Sequence, residues 1–93
     1  MYSISKRIYN IAKQHNLIVK PSTRKHKKID VYDNNNNYIC SIGNDKYNDF
    51  HIYLKTTNKE YAEKRRRLYI LRHKKDISKI GSKGYYAYLL LWS

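Results

Sequence analysis

A strongly cationic segment with helical spacing, residues 59–76, most constrains how this 93-residue chain of formal net charge +13 can fold. Thr57 is followed three residues later by Glu60, which is a capping-box pattern and predicts that a helix begins near Asn58. A helix this basic must present cations to solvent or to an anionic partner. The rest of the fold has to cover whichever side of the helix is apolar.

The predicted helix divides its arginines between two faces. Its apolar stripe consists of Tyr61, Ala62, Leu68 and Tyr69. Arg65 and Arg72 fall inside this stripe, so we expect partial burial of their stems and pairing with a carboxylate, that of Asp49 or Asp30. Asp49 has an alternative role in which it accepts backbone N–H bonds. The side chains predicted to point outward are Lys59, Arg66, Arg67 and Lys74.

Charge is unevenly distributed along the chain. Residues 1–28 carry eight Lys or Arg and no acid, residues 29–58 carry two against four acids, and residues 59–93 carry ten against three. A basic field of this kind attracts polyanions by counterion release. The composition therefore favours nucleic acid as partner, with an acidic protein surface second and anionic lipid third.

Local patterns predict the remaining elements. Ile4, Ile8, Ile11, Ala12 and His15 share one face of a short N-terminal helix that begins near Ser3 or Ser5, and residues 17–19 form a short strand or extended strap. Residues 29–33 and 38–42 alternate with period two around four asparagines, which predicts a β-hairpin. Residues 50–54 are a predicted third strand, and residues 85–92 form an apolar terminal segment, helix or strand. This segment is too short to span a membrane. We expect Leu90 and Trp92 to lie in the core.

Residues typical of enzymes are scattered. Cys40 is the only cysteine and lies within a predicted strand, and the four histidines are dispersed, so neither a nucleophile beside a base nor a metal-ligand cluster is indicated. Four aspartates could suggest a two-metal nuclease, but their positions in strands and turns favour structural roles: Asp30, Asp33, Asp45 and Asp49. We therefore expect no catalysis, no cofactor, no metal and no small-molecule substrate.

The candidate binding residues are basic side chains from two segments. The helix contributes Arg66, Arg67, Lys74 and Lys75. The loop after the strap contributes Arg24, Lys25, Lys27 and Lys28. A basic run of this kind can also be a face that is merely exposed to water. Here, however, the absence of acidic residues from the first third of the chain and the net charge of +13 exceed what solubility requires.

An ordered series of short motifs runs through residues 29–92. Ile42–Phe50, then Arg65 with Tyr69–Lys74, then Gly84–Ala87 and Leu90–Trp92 resemble an uncharacterised family of small basic proteins encoded by nucleocytoplasmic large (giant) DNA viruses. The resemblance implies a viral origin, a place in or near the virion and residence in the host cytoplasm during assembly. The resemblance gives no indication of a particular activity, because the family is uncharacterised.

Together these observations predict an α+β fold with a small antiparallel sheet of about three strands, a long basic helix and a short N-terminal helix. Residues 1–28 would form the basic N-terminal helix and strap, and residues 29–93 one compact α+β domain. The expected function is a non-enzymatic, virion-associated architectural protein that binds nucleic acid without base specificity. The alternative is a minor capsid or cement protein that docks its basic surface on acidic shell proteins.

Overall fold

The computed structural model describes residues 2–93. Along this part of the chain, one helix is followed by the three strands of a small antiparallel sheet and then by further helices. The predicted α+β class is confirmed, with a sheet of three strands, a short N-terminal helix and a long basic helix. The chain divides into two compact units, one extending to Tyr47 and the other comprising Asn48–Ser93. Below they are called the sheet unit and the helical unit.

The N-terminal helix α1 comprises Lys6–Gln14. Its N-cap is Ser5, whose hydroxyl oxygen accepts a hydrogen bond from the Ile8 N–H at 3.2 Å, so the predicted start is confirmed. Ile8 and Ala12 are buried, as the amphipathic pattern requires. His15, placed on the same face by the sequence pattern, is exposed because the helix has already ended.

The sheet consists of β1 (Leu17–Pro21), β2 (Lys27–Asp33) and β3 (Tyr38–Asn44) in that spatial order, with both pairs antiparallel. Of the two alternatives predicted for residues 17–19, a short strand or an extended strap, the strand is confirmed, and β1 pairs with β2 along its whole length. Period-two alternation places one set of aliphatic side chains on a single buried face: Val19, Ile29, Val31 and Ile42. This is the apolar sheet face.

The opposite face is polar and aromatic. Lys20 pairs with Asp30, and Asp30 pairs with Ser41 on the next strand. Tyr32 pairs with Tyr38 beyond an irregularity in the ladder that begins after Val31. Residues directly opposite each other in an antiparallel sheet share a face, so these five form one surface, the polar sheet face.

The predicted hairpin turn between β2 and β3 is confirmed and is held by the Asp33 carboxylate. It accepts hydrogen bonds from the Asn35 N–H at 2.9 Å, the Asn37 N–H at 2.9 Å and the Asn37 side-chain amide at 3.1 Å. Asn36 takes the left-handed conformation with φ 66°, which asparagine tolerates. The hydrogen bonds from Asn37 lower the pKa of Asp33 below its ordinary value of 3.8. The bond from the Asn37 backbone N–H has the larger effect, and the bond from its side-chain amide follows.

Helix α2 comprises Phe50–Thr56, so the strand predicted for residues 50–54 is wrong. Asp49 is the N-cap, and its buried carboxylate accepts a hydrogen bond from the Ile52 N–H at 3.0 Å. A cap at this position commits the next residues to a helix despite their aromatic and β-branched content. The third strand of the sheet is therefore β1.

Helix α3 comprises Lys59–Ile77 and has a kink at His73, where φ is −110° and ψ is 18°. The predicted start near Asn58 is confirmed, but the capping box is not. Asn58 is the N-cap and accepts a hydrogen bond from the Tyr61 N–H at 2.8 Å, whereas Thr57 closes α2 through its N–H to the Tyr53 carbonyl.

Helix α4 (Lys83–Ala87) and a terminal π-helix (Tyr88–Trp92) complete the helical unit. Leu90, Leu91 and Trp92 are buried, which confirms the core position predicted for Leu90 and Trp92. The Trp92 indole stacks on the Tyr69 ring with centroids 4.3 Å apart and planes 10° from parallel. Within residues 2–93 no helix has the length and apolar character needed to cross a membrane.

Candidate nucleic-acid interface

Helix α3 is rotated relative to the stripe predicted from its sequence. Ala62 is fully buried and Tyr69 is half-buried, as expected, but Tyr61 is 41% exposed, Leu68 is 44% exposed and Arg72 is exposed. The inward positions include 62, 65, 66, 69 and 73, and the His73 and Tyr69 ring centroids are 4.4 Å apart. The stack of Tyr69 on Trp92 fixes this rotation, because it directs Tyr69 into the unit and turns Leu68 outward.

Arg66 therefore lies in a packed position, which corrects the prediction that it points outward. Its guanidinium carbon is 4.8 Å from the centroid of the Phe50 ring, and an Nη atom is 3.2 Å from a Glu63 carboxylate oxygen. Only 29% of its side chain is exposed. Arg66 thus stabilises the packing of α3 on α2 and is a poor candidate for contact with an external anion.

The predicted burial holds for Arg65 and is wrong for Arg72. The Arg65 guanidinium carbon is 5.5 Å from the Tyr53 ring centroid, and its Nε is buried without a hydrogen-bond partner among residues 2–93. Arg72 lies on the exposed side because α3 is rotated. Neither Arg65 nor Arg72 has a carboxylate within ion-pair distance among residues 2–93, so the predicted pairing with Asp49 or Asp30 is not observed, while the role of Asp49 as a backbone acceptor is confirmed.

The exposed side of α3 carries cations interrupted by leucines. We call it the α3 outer face, and it consists of Lys64, Arg67, Leu68, Leu71, Arg72, Lys74 and Lys75. Leu71 is 74% exposed. Three of the predicted binding residues are on this face: Arg67, Lys74 and Lys75. Leu68 was predicted to lie on the apolar stripe, so its exposure corrects that prediction, whereas Leu71 lies outside the predicted stripe.

The other predicted binding residues lie in the sheet unit, in the β1–β2 loop and the start of β2. The Ser22 hydroxyl oxygen accepts from the Arg24 N–H at 3.1 Å, and the Ser22 N–H donates to the Lys28 carbonyl at 3.0 Å, which shapes the loop. Arg24 and Lys25 are exposed. Lys27 and Lys28 belong to β2, where Lys28 is buried and its Nζ is 5.3 Å from the Tyr2 ring centroid.

Arg24 also belongs to a cluster that the sequence did not reveal. Its guanidinium carbon lies 4.7 Å from the Tyr38 ring centroid, and its Nε is 3.9 Å from an Asp30 carboxylate oxygen. The Tyr38 hydroxyl hydrogen-bonds the Ser41 hydroxyl at 2.7 Å, and Ser41 donates to the same Asp30 oxygen at 2.6 Å. These four side chains form a closed ring of interactions, the Arg24–Tyr38 cluster. The cluster depends on the register of β2 and β3, which places Asp30 opposite Ser41 and which the predicted hairpin alone did not specify.

A second cation–aromatic contact lies beside this cluster. Lys20 Nζ is 4.9 Å from the Tyr32 ring centroid, and the Tyr32 and Tyr38 rings meet edge to face at 5.8 Å. Tyr38 is 47% exposed. The polar sheet face thus presents two tyrosine rings, each accompanied by a cation.

No group of three or more His, Cys, Asp or Glu side chains that could hold a metal ion exists among the described residues. Comparisons of the chain with protein-family models, with curated proteins and with solved structures give no match. The resemblance to a viral family therefore stays a prediction. Cationic and aromatic surfaces are the features of the structure from which a function can be argued.

Proposed function

We propose that this protein is a non-enzymatic, virion-associated architectural protein that binds nucleic acid through phosphate contacts without base specificity. The observation that carries the proposal is the α3 outer face. Within residues 2–93 its five cations have no carboxylate within ion-pair distance: Lys64, Arg67, Arg72, Lys74 and Lys75. The association with a virion rests on the motif resemblance alone.

Five of the seven acidic side chains of the chain are engaged elsewhere; the other two, Glu60 and Asp76, are exposed on α3, where Asp76 lies 3.9 Å from the His73 ring. Asp33 holds the hairpin turn, Asp49 caps α2 and Glu63 pairs with Arg66. Asp30 accepts from Ser41, and Asp45 lies 3.2 Å from the His26 ring. Because these carboxylates are occupied by the fold, the outer cations are available to an external polyanion. Each phosphate that they neutralise releases condensed counterions, which provides sequence-independent affinity.

A salt series with duplex DNA tests the proposal. Unrelated duplexes should bind with similar affinity, and the logarithm of the association constant should fall linearly with the logarithm of salt concentration. Replacing Arg67, Lys74 and Lys75 by Gln should lower the magnitude of this slope by up to about three, since each lost phosphate contact removes about one. Fluorescence anisotropy measures both quantities.

A matched control removes the same charge elsewhere. Lys6, Lys13 and Lys46 are exposed and lie in the sheet unit, and their replacement by Gln should change the slope far less. Absence of duplex binding at low salt would contradict the proposal. Equal loss in both triple variants would show that net charge, and not the α3 outer face, determines binding.

A second candidate function is docking on an acidic protein, as in a minor capsid or cement protein. The exposed Leu68 and Leu71 favour it, because phosphates offer nothing apolar whereas an acidic protein surface can offer both charge and apolar contact. A designed acidic helix with leucines at helical spacing serves as the probe. Under this second function, Leu68→Gln with Leu71→Gln abolishes binding of that probe; unchanged duplex binding by the same variant would keep the two functions separable.

A further inference from the structure

We infer that the Arg24–Tyr38 cluster is a stacking site for an unpaired base, so that the polar sheet face binds single-stranded nucleic acid in preference to duplex. The inference rests on the proposed function in that the ligand is nucleic acid. It adds the class of nucleic acid and a second surface, distinct from the α3 outer face.

The first argument is chemical. A base in a single strand exposes its π-face, which stacks on tyrosine rings and on the planar guanidinium of arginine. The cluster offers both, already layered: the Arg24 guanidinium carbon lies 4.7 Å from the Tyr38 centroid. Both groups are accessible, because the Arg24 side chain is 58% exposed and Tyr38 is 47% exposed.

The second argument is preorganisation. The Tyr38 hydroxyl is held by Ser41, Ser41 is held by Asp30, and Asp30 lies near the Arg24 Nε. Asp30 and Ser41 are buried, so their positions are set by the strands. A ring and a guanidinium that are already oriented lose little conformational freedom when a base stacks on them, which raises the affinity.

The third argument is charge complementarity on the same face. Lys20 and Lys25 are exposed. Lys20 lies on β1 and pairs with Asp30 of the cluster, and Lys25 follows Arg24 in the β1–β2 loop. The combination of aromatic platforms with flanking cations is typical of proteins that bind single strands. Duplex DNA keeps its bases stacked inside and could use only the cations. The cluster therefore distinguishes the two forms.

Three probes test this inference on the intact chain: a thymidine oligonucleotide, an abasic strand with the same number of phosphates, and a duplex of the same length. The wild-type protein should bind the thymidine strand about tenfold more tightly than the abasic strand, as expected for one stacked base. Tyr38→Leu should remove that difference and leave duplex affinity unchanged. Arg24→Lys keeps the charge, loses the plane and should reduce the preference partially.

Tyr47→Leu is the matched control, because Tyr47 is 70% exposed in the same unit and lies outside the cluster. It should leave all three affinities unchanged, and circular dichroism should show that each variant is folded. Equal binding of thymidine and abasic strands by the wild-type protein overturns the inference even if Tyr38→Leu fails to fold. If duplex binding persists in that case, only this inference fails; if no probe binds at low salt, the proposed function fails with it.

Discussion

The sheet unit and the helical unit both have a small core and many positive charges, but they form that core from different kinds of side chain. The sheet unit buries aliphatic side chains on one face of its strands and beneath α1, with Ile8, Ile29, Val31 and Ile42 fully buried. The helical unit relies on aromatic rings, among which Trp92 contacts Tyr53 and Tyr69. In the sheet unit, the alternation of side chains along the strands thus decides which residues are buried. In the helical unit, contacts between aromatic rings decide it.

The two units also hold their cations differently. In the sheet unit, Lys20, Arg24 and Lys28 each lie over a tyrosine ring. In the helical unit, Arg65 and Arg66 lie over rings, whereas the cations of the α3 outer face extend into solvent. Two cationic side chains can therefore differ in their access to an external anion. The burial of a lysine or arginine has to be known before that residue is assigned to a binding surface.

The largest effect is expected from Trp92→Ala. The indole is 9% exposed and stacks on Tyr69, so its loss leaves a cavity and should reduce the free energy of unfolding by about 3–5 kcal/mol. Chemical denaturation measures the change, and Leu71→Ala, at an exposed position, is the control that should have little effect. Hydrogen exchange should show lost protection mainly in Asn48–Ser93. Equal loss in both units would break the comparison, because it would show that they unfold as one.

An intermediate effect separates Arg66 from Arg72. Arg66→Ala removes the contact with Phe50 and the ion pair with Glu63, and we expect it to destabilise the protein by about 1 kcal/mol. Arg72→Ala should leave the melting temperature nearly unchanged, since Arg72 is exposed. A larger loss for Arg72→Ala would restore the helix orientation predicted from the sequence.

The smallest effect concerns the hairpin turn of the sheet unit. The pKa of Asp33 is lower in the folded state than its ordinary 3.8, so the carboxylate contributes stability that is present above that value and is lost as pH falls through the folded pKa. The melting temperature should therefore decline below about pH 4. Asp33→Asn should be less stable at neutral pH and should show a shallower decline in acid. An unchanged slope would mean that other carboxylates determine the acid sensitivity.

Local signals were sufficient for much of the fold. The spacing of Ile8 and Ala12, the asparagine turn and the start of α3 at Asn58 each depend on residues within a few positions of each other. The burial of Trp92 could be expected because the chain has few large apolar side chains, with one Trp and one Phe. These are the cases in which propensity, pattern and tertiary environment agree.

Three features of the molecule could not be predicted from such local signals. Residues 50–54 are too few to show a helical period, and the cap formed by Asp49, which decides their structure, reads equally well as a turn residue. The orientation of α3 failed because Tyr and Arg are both amphipathic, so its sequence has no clean apolar stripe. The Arg24–Tyr38 cluster joins a loop to two strands, and its formation depends on register.

One consequence of strand β1 concerns association between molecules. β1 forms an edge of the sheet and ends at Pro21, which has no N–H to donate to an incoming strand, and Lys20 places an exposed charge beside it. Proline and lysine at sheet edges are features by which natural proteins discourage edge-to-edge aggregation. This protection matters most at high protein concentration, where copies of the chain meet often. Pro21 therefore reduces the tendency of the β1 edge to pair with a strand of a second copy of the chain.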